Sequence, residues 1–293
     1  MKVLITGANG FLGQYLCIHL ASKGFEVVAT SRGTCKIIGF PSIKFQSVDV
    51  TKKNEVLSVL SMEKPDIIIH NAAMSKPDDC NNDSVACLLQ NVAATEIIVE
   101  AAKKNNAYLI YVSTDFVFGD DGPHDEETVP APLNFYGESK LMAEKIITES
   151  GLVAAIVRPV FIYGEAKPGM RSTFLHWVKA SLEAKKTIKI VADQQRTPTY
   201  VLDICDGIVA MIAKRVTGAF HLAGKDILSP YQMAVTVANM LGLDASLIMP
   251  VTSETFVEPV KRAKKSGLKI EKAIKELNYN PVSFEEGVRL SFL

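Results

Sequence analysis

The stretch Gly7-Ala8-Asn9-Gly10-Phe11-Leu12-Gly13 follows the apolar run Met1–Thr6 and leads into Phe11–Lys23, which reads as a helix. Its glycines have GxxGxxG spacing. Glycine lets a strand-to-helix turn close tightly and lets the backbone approach a pyrophosphate, whose charge the helix N-terminus favours. A glycine triplet alone is a weak signal. Between an N-terminal strand and a helix it predicts a dinucleotide-binding βαβ unit, the other reading being a turn that holds no ligand.

Working outward, Phe25–Thr30, Asp66–His70, Ala107–Ser113 and Ala154–Arg158 read as buried strands. Asn54–Met62, Ser84–Asn105 and Tyr136–Ser150 read as the helices between them. Near-continuous apolar strands alternating with helices predict an α/β fold, a doubly wound parallel Rossmann sheet covered on both faces. After Pro159 the pattern loosens into helices Phe174–Ala184, Val201–Lys214, Tyr231–Leu241 and Ile270–Leu277, with short apolar runs at Ile188–Val191, Ala219–Leu222 and Leu247–Met249. Residues 1–160, completed by about 197–225, are the expected NAD(P)-binding domain; 161–196 and 226–293 are the expected smaller C-terminal α/β substrate lobe.

The 293 residues are 48% hydrophobic and 22% charged, with 32 basic against 32 acidic side chains. Zero formal charge argues against a nucleic-acid or membrane-surface partner, since both attract a basic excess. No run of 18 apolar residues is present, so no transmembrane helix is expected, and the N-terminus lacks a signal peptide's layout. Cys17, Cys35, Cys80, Cys87 and Cys205 are odd in number and without CxxC spacing, which predicts reduced thiols in a cytoplasmic protein, with no disulfide framework and no zinc site.

The second strand ends in Thr30-Ser31-Arg32, without the carboxylate that would bind ribose hydroxyls in an NAD protein. Arg32 can pair bidentately with a 2′-phosphate, which favours NADP(H) and leaves NAD(H) possible; otherwise it is solvated or stacks on adenine. Asp49-Val50 follows a further short strand. Asp49 can accept from an adenine amino group or serve as an N-cap for the next helix.

Tyr136-Gly137-Glu138-Ser139-Lys140 places a phenol and an ammonium at i and i+4, on one helix face. A lysine ammonium nearby favours phenolate and is expected to lower the tyrosine pKa from about 10. Upstream, Tyr111-Val112-Ser113-Thr114-Asp115 finishes a strand, and a hydroxyl at that end can hold a carbonyl oxygen beside the phenol.

With these pieces assembled, the chain resembles the extended short-chain dehydrogenase/reductases. The matching segments are GANGFLG, Asp49-Val50, His70-Asn71-Ala72-Ala73, Asn91-Val92, VSTDFVFG, YGESK, and Arg158-Pro159 followed by Tyr163-Gly164. The resemblance implies that Thr114, Tyr136 and Lys140 are catalytic, Tyr136 as general acid and Lys140 as ribose ligand and tuner of the phenol. It also implies that Gly7, Asn9, Gly10, Phe11, Leu12 and Gly13 line the pyrophosphate, that Ala72 and Ala73 pack near the cofactor, and that Asn91 lies behind the site. Within the family, Ser113-Thr114-Asp115-Phe116-Val117-Phe118 and Asp193-Gln194-Gln195-Arg196-Thr197-Pro198-Thr199 are similar to the dTDP-4-dehydrorhamnose reductase group, which implies a nucleotide-sugar substrate met by Ser113, Asp115, Phe116 and Arg196. Arg196 departs from that group, which usually carries glycine there. The QQR-x-PT form also looks like the regulatory β subunit of methionine adenosyltransferase, a relative that binds NADP and serves mainly as a partner protein. Magnesium dependence stays open, and a homodimer is usual among the resembled proteins.

Phe116 follows Thr114-Asp115 where sugar-nucleotide dehydratases carry glutamate, which disfavours dehydration; an epimerase needs tightly held NAD, against which Arg32 speaks. Simple reduction requires least. Four other features invite a role. His70 reads as a packed or cofactor-adjacent histidine, and His124 with Asp125-Glu126-Glu127 as a solvated acidic loop rather than a metal site. Phe174, Trp177 and Val178 read as a core stripe, with base or sugar stacking as the lesser reading. The Lys261–Lys265 basic run reads as solvated surface or, more boldly, as a diphosphate contact, against which Arg262-Ala263 departs from the reductases' arginine-proline.

Overall fold

The computed structural model describes residues 1–293 apart from Pro168, Arg171, Val257 and Glu258. Strands β1 (Lys2–Thr6), β2 (Glu26–Ser31), β3 (Lys44–Ser47), β4 (Ile67–His70), β5 (Tyr108–Val112) and β6 (Ala154–Arg158) are followed by β7 (Ile162–Tyr163), β8 (Ile188–Val191), β9 (Thr199–Tyr200), β10 (Gly218–His221) and β11 (Ile248–Val251). Seven of them form one parallel sheet in the order β10-β6-β5-β4-β1-β2-β3. The expected doubly wound Rossmann sheet is therefore the fold.

Alternating side chains feed two cores, as the two-residue period of a strand requires. Val3 and Ile5 of β1 point into one, and Leu4 into the other. The second face is covered by helices α2 (Lys53–Glu63), α5 (Ala94–Asn105) and α6 (Phe135–Glu149), through Leu60, Ile98 and Ile147. The first face is covered by α1 (Phe11–Ser22) and α8 (Val201–Lys214), through Leu16 and Ile208. This same apolar core continues into α7 (Phe174–Glu183), α9 (Pro230–Met240), α10 (Glu271–Leu277) and α11 (Phe284–Phe292).

The expected helix Ser84–Asn105 is one continuous helix, made of α4 (Ser84–Leu88), a π-helical turn Leu89–Ala93 and α5, and is preceded by a short α3 (Pro77–Asn82). By length and composition it passes for a membrane span, which the count of uninterrupted apolar residues did not register. In the fold, Ile98 and Ala102 bury its inner side against the sheet, which is what a core helix of this composition does.

Chain direction decides where a ligand goes. From β1 the chain runs outward through β2 and β3, then returns to the other side of β1 as β4. The crevice outside the carboxyl ends of the strands at this reversal is the binding position of open α/β sheets.

Candidate active site

A cleft of about 600 Å³ lies at that reversal. Its floor comes from the strand ends: Gly7 after β1, Ser31 and Arg32 at β2, Asn71–Ala73 after β4, and Val112–Phe116 at β5. Gly10, Phe11 and Leu12 bring the start of α1 to it. Gly10 caps that helix without a side-chain bond, so first-turn N–H groups face the cleft. Gly7 has φ of 68°, and a Cβ there would stand 2.8 Å from the Ala72 backbone. A Cβ on Gly13 would collide with the Gly7 carbonyl oxygen, so Gly13 serves helix-to-strand packing one layer back. An extended dinucleotide fits this cradle. The Ser113 hydroxyl, buried in the cleft wall, has no hydrogen-bond partner among the described residues and is left for a ligand.

Tyr136 and Lys140 lie on one face of α6 and both line the cleft. Asn134 caps that helix, its Oδ1 accepting from Gly137 N at 3.0 Å. Thr114 lines the same cleft: its hydroxyl donates to Asp115 Oδ1 at 3.2 Å, accepts from Phe116 N at 3.3 Å and is the polar neighbour that acts on the Tyr136 phenol. Phe116 packs edge-on against the Tyr136 ring at 5.5 Å.

The electrostatics differ from the sequence expectation. Burial pushes the Tyr136 phenol well above its ordinary range, with the Thr114 hydrogen bond opposing, so the group is held as neutral phenol. Lys140 is itself pushed down to about 7 by burial. Its Nζ donates to Val112 O at 2.7 Å and stands 4.1 Å over the Tyr111 ring. The anticipated lowering of the phenol by lysine is therefore outweighed by desolvation of both groups.

Several residues named from the sequence are held by hydrogen bonds within the protein. Asn91 accepts from Met74 N at 2.8 Å and donates to Met74 O and to Ser139 Oγ, tying the π turn to α6. Asp49 accepts from Thr51 N at 3.0 Å and Thr51 Oγ1 at 2.8 Å in a turn ahead of α2, whose N-cap is Lys52; Val50 does line the cleft. Asn9 turns away from the pyrophosphate turn, toward the loop after β2. Asp115 lines the cleft but is buried and accepts from Ser266 Oγ at 3.0 Å, and burial raises its pKa against the pull of Arg196. Arg196 is buried beside it. Its guanidinium donates to Gln195 O at 2.9 Å, Ala263 O at 2.8 Å and Gln194 Oε1 at 2.8 Å, and it is absent from the cleft lining.

The remaining candidates resolve by packing. His70 is fully buried between Thr6 Oγ1 at 2.8 Å and Thr95 Oγ1 at 3.2 Å, and burial drives its pKa to about 3, as a packed histidine requires. His124 corrects the solvated-loop reading: it is buried, stacked on Phe118 at 4.7 Å, and Glu126 beyond it accepts from His221 N at 2.9 Å. Trp177 corrects the core-stripe reading, being 47% exposed. Arg262 is paired rather than merely solvated, its Nη2 lying 2.9 Å from Asp78 Oδ2. Among the described residues no cluster of metal-ligating side chains occurs. Tyr111 under Lys140, and Phe161 and Thr173 along the far wall, were missed, while Phe174 of the stripe read as core belongs to that wall. Phe161 has φ of 41°, a conformation that sequence does not announce.

Fold and site together define an NAD(P)-dependent oxidoreductase of the extended short-chain dehydrogenase/reductase type, acting between CH–OH and C=O. The chain belongs to the RmlD substrate-binding domain family, whose profile matches residues 1–292. It is 32% identical over 257 residues to methionine adenosyltransferase 2 subunit beta of Pongo abelii, covering 86% of this chain and 75% of that protein. It is 28% identical over 291 residues to spore coat polysaccharide biosynthesis protein SpsK of Bacillus subtilis, covering 98% and 95%. The crystal structure of dTDP-4-dehydrorhamnose reductase from Bacillus anthracis in complex with NADP superimposes with a TM-score of 0.87 at 28% identity, covering 98% of this chain and 97% of that one.

Proposed function

We propose that this protein reduces the keto group of a 4-keto-6-deoxy nucleotide sugar with NADPH. The observation that carries the reading is that Thr114, Tyr136 and, one helical turn on, Lys140 line one cleft that begins on the glycine turn. NADPH, when bound, supplies the hydride. Tyr136, kept as neutral phenol by burial, gives its proton to the carbonyl oxygen as charge develops there. Thr114 bonds that oxygen more strongly as the alkoxide forms than it bonded the ketone, which lowers the barrier. Lys140, held by the Val112 carbonyl, lines the same cleft and would bind the nicotinamide ribose there.

The dTDP-4-dehydrorhamnose reductase neighbour supports the sugar-nucleotide class. A second reading, a cofactor-binding regulatory subunit, is favoured by the methionine adenosyltransferase 2 subunit beta relative. Loss of nicotinamide absorbance on mixing the protein and NADPH with dTDP-4-keto-6-deoxyglucose separates the two. We expect turnover on the order of the usual 1–1000 per second. A folded, NADPH-binding protein that turns over no member of a panel of 4-keto nucleotide sugars would instead be the regulatory one.

The NADPH preference has its own test. Arg32 is exposed in the cleft lining, with Ser31 beside it and no acidic residue closing β2, where it would meet the adenosine. Arg32→Ser is expected to raise the Kd for NADPH by about tenfold or more and leave that for NADH nearly unchanged. Equal effects on both would show that Arg32 does not read the 2′-phosphate.

A further inference from the structure

We infer that Asn9 is the positioning residue for cofactor discrimination: its carboxamide holds the loop Arg32–Lys36 so that the loop's cations meet an adenosine 2′-phosphate. The inference deepens the NADPH reading and rests on it.

Residues 32–36 are all exposed and leave the sheet at the end of β2. Gly33 within them has φ of 75°, so the run lacks regular structure. Fixing such a segment costs backbone entropy at every residue, and it has no buried apolar side chain to offset that. A cation on a freely moving loop gives little selectivity, because the ligand must do the ordering.

One side chain supplies the missing restraint. Asn9 Nδ2 donates to Arg32 O at 3.2 Å and to Thr34 O at 2.9 Å. Its Oδ1 accepts from Lys36 N at 2.9 Å. A carboxamide has two N–H donors and an acceptor oxygen, and all three roles are spent on a five-residue span of backbone. Asn9 is itself fixed. The buried Gln14 of α1 donates through Nε2 to Asn9 O at 3.1 Å, and the neighbouring Ala8 N donates to Thr30 O at 3.0 Å. The glycine turn and the loop after β2 are thereby joined into one body.

The bonds engage only backbone groups of the loop. The side chains of Arg32 and Lys36 are left exposed, and neither makes an ion pair within 4.0 Å among the described residues. Asp49 is the carboxylate that feels Arg32, and its Oδ1 is already engaged by the Thr51 N–H and hydroxyl. Two cations four residues apart, held on a loop tied to the pyrophosphate turn, suit a dianionic phosphate and gain nothing from a ribose hydroxyl. The position next to the glycines implied a pyrophosphate contact for Asn9; the bonds it makes give it this other task.

The test is the Kd of NADPH and of NADH for wild type, Asn9→Ala and Asn9→Asp, each folded and without substrate. Asn9→Ala is expected to weaken NADPH about tenfold and NADH less than about twofold. Asn9→Asp keeps an acceptor for Lys36 N but loses both donors and adds a negative charge, so it should weaken NADPH further still. The NADH affinity doubles as the check on folding, since a damaged glycine turn would weaken both cofactors together. An unchanged NADPH-to-NADH ratio in Asn9→Ala, or equal weakening of both, overturns the inference while leaving the NADPH reading intact. A wild type that does not prefer NADPH overturns both.

Discussion

Tyr136→Phe is expected to lower kcat for keto-sugar reduction by at least about 100-fold while the Kd for NADPH stays within about twofold of wild type. The substitution removes one oxygen and keeps the ring. That ring packs edge-on to Phe116 and beside Cys80 and Cys87, so α6 and the cleft wall keep their packing. In the proposed reaction the lost atom is the proton donor, and it is the oxygen on which the Thr114 hydroxyl acts. Thr114 remains to bond the developing alkoxide, which leaves a residual rate rather than none. Stopped-flow turnover and cofactor titration on the same preparation give both numbers. Turnover above a tenth of wild type would remove Tyr136 from the chemistry, and a matching loss of NADPH affinity would turn its role into a structural one.

Much of the fold could be read because β1, β4, β5 and β6 are buried on both faces and therefore written as unbroken apolar runs. Elements whose stability comes from elsewhere were not. Strands β7 and β9 are two residues each and exist only through their pairing with each other. Helix α3, PDDCNN, offers Cys80 as its sole buried apolar anchor. Helix α11 could have been found: Ser283 precedes Glu286 by three residues, and Ser283 Oγ accepts from Glu286 N at 3.2 Å.

At the site, what spacing within one element decides was legible, and what tertiary approach decides was not. Tyr136 and Lys140 share a helix face by arithmetic alone. The clamp from Asn9 to Lys36 joins residues 27 apart, and Ser266 reaches Asp115 across 151. Trp177 misled because α7 buries Leu175, Val178 and Leu182, a face that leaves the indole outside. The pKa of Tyr136 misled for a related reason: a lysine four residues on was weighed, but the desolvation that the surrounding helices and strands impose was not.

One turn beyond Lys140, on the same side of α6, Glu144 makes the second large prediction. It accepts from Arg158 Nε at 3.0 Å and Nη2 at 2.6 Å, and both side chains are about nineteen-twentieths buried. Arg158 also lies 4.9 Å from the Phe118 ring centre and beside His221, whose pKa burial drives down to about 3 so that it adds no second cation. Glu144 is thus the carboxylate paired with a guanidinium that cannot lose its proton. Glu144→Gln leaves that cation buried with a neutral amide, and breaking such a pair costs about 3–5 kcal/mol of stability. The urea midpoint should fall accordingly at constant slope. Because replacing both members removes the stranded charge along with its partner, Glu144→Leu/Arg158→Met should be closer to wild type than Glu144→Gln. That ordering separates a charge effect from a packing effect: if the double variant is the least stable of the three, the side chains hold α6 to β6 by shape. A loss below about 1 kcal/mol in Glu144→Gln would mean that water reaches Arg158 in solution, as it does for exposed pairs.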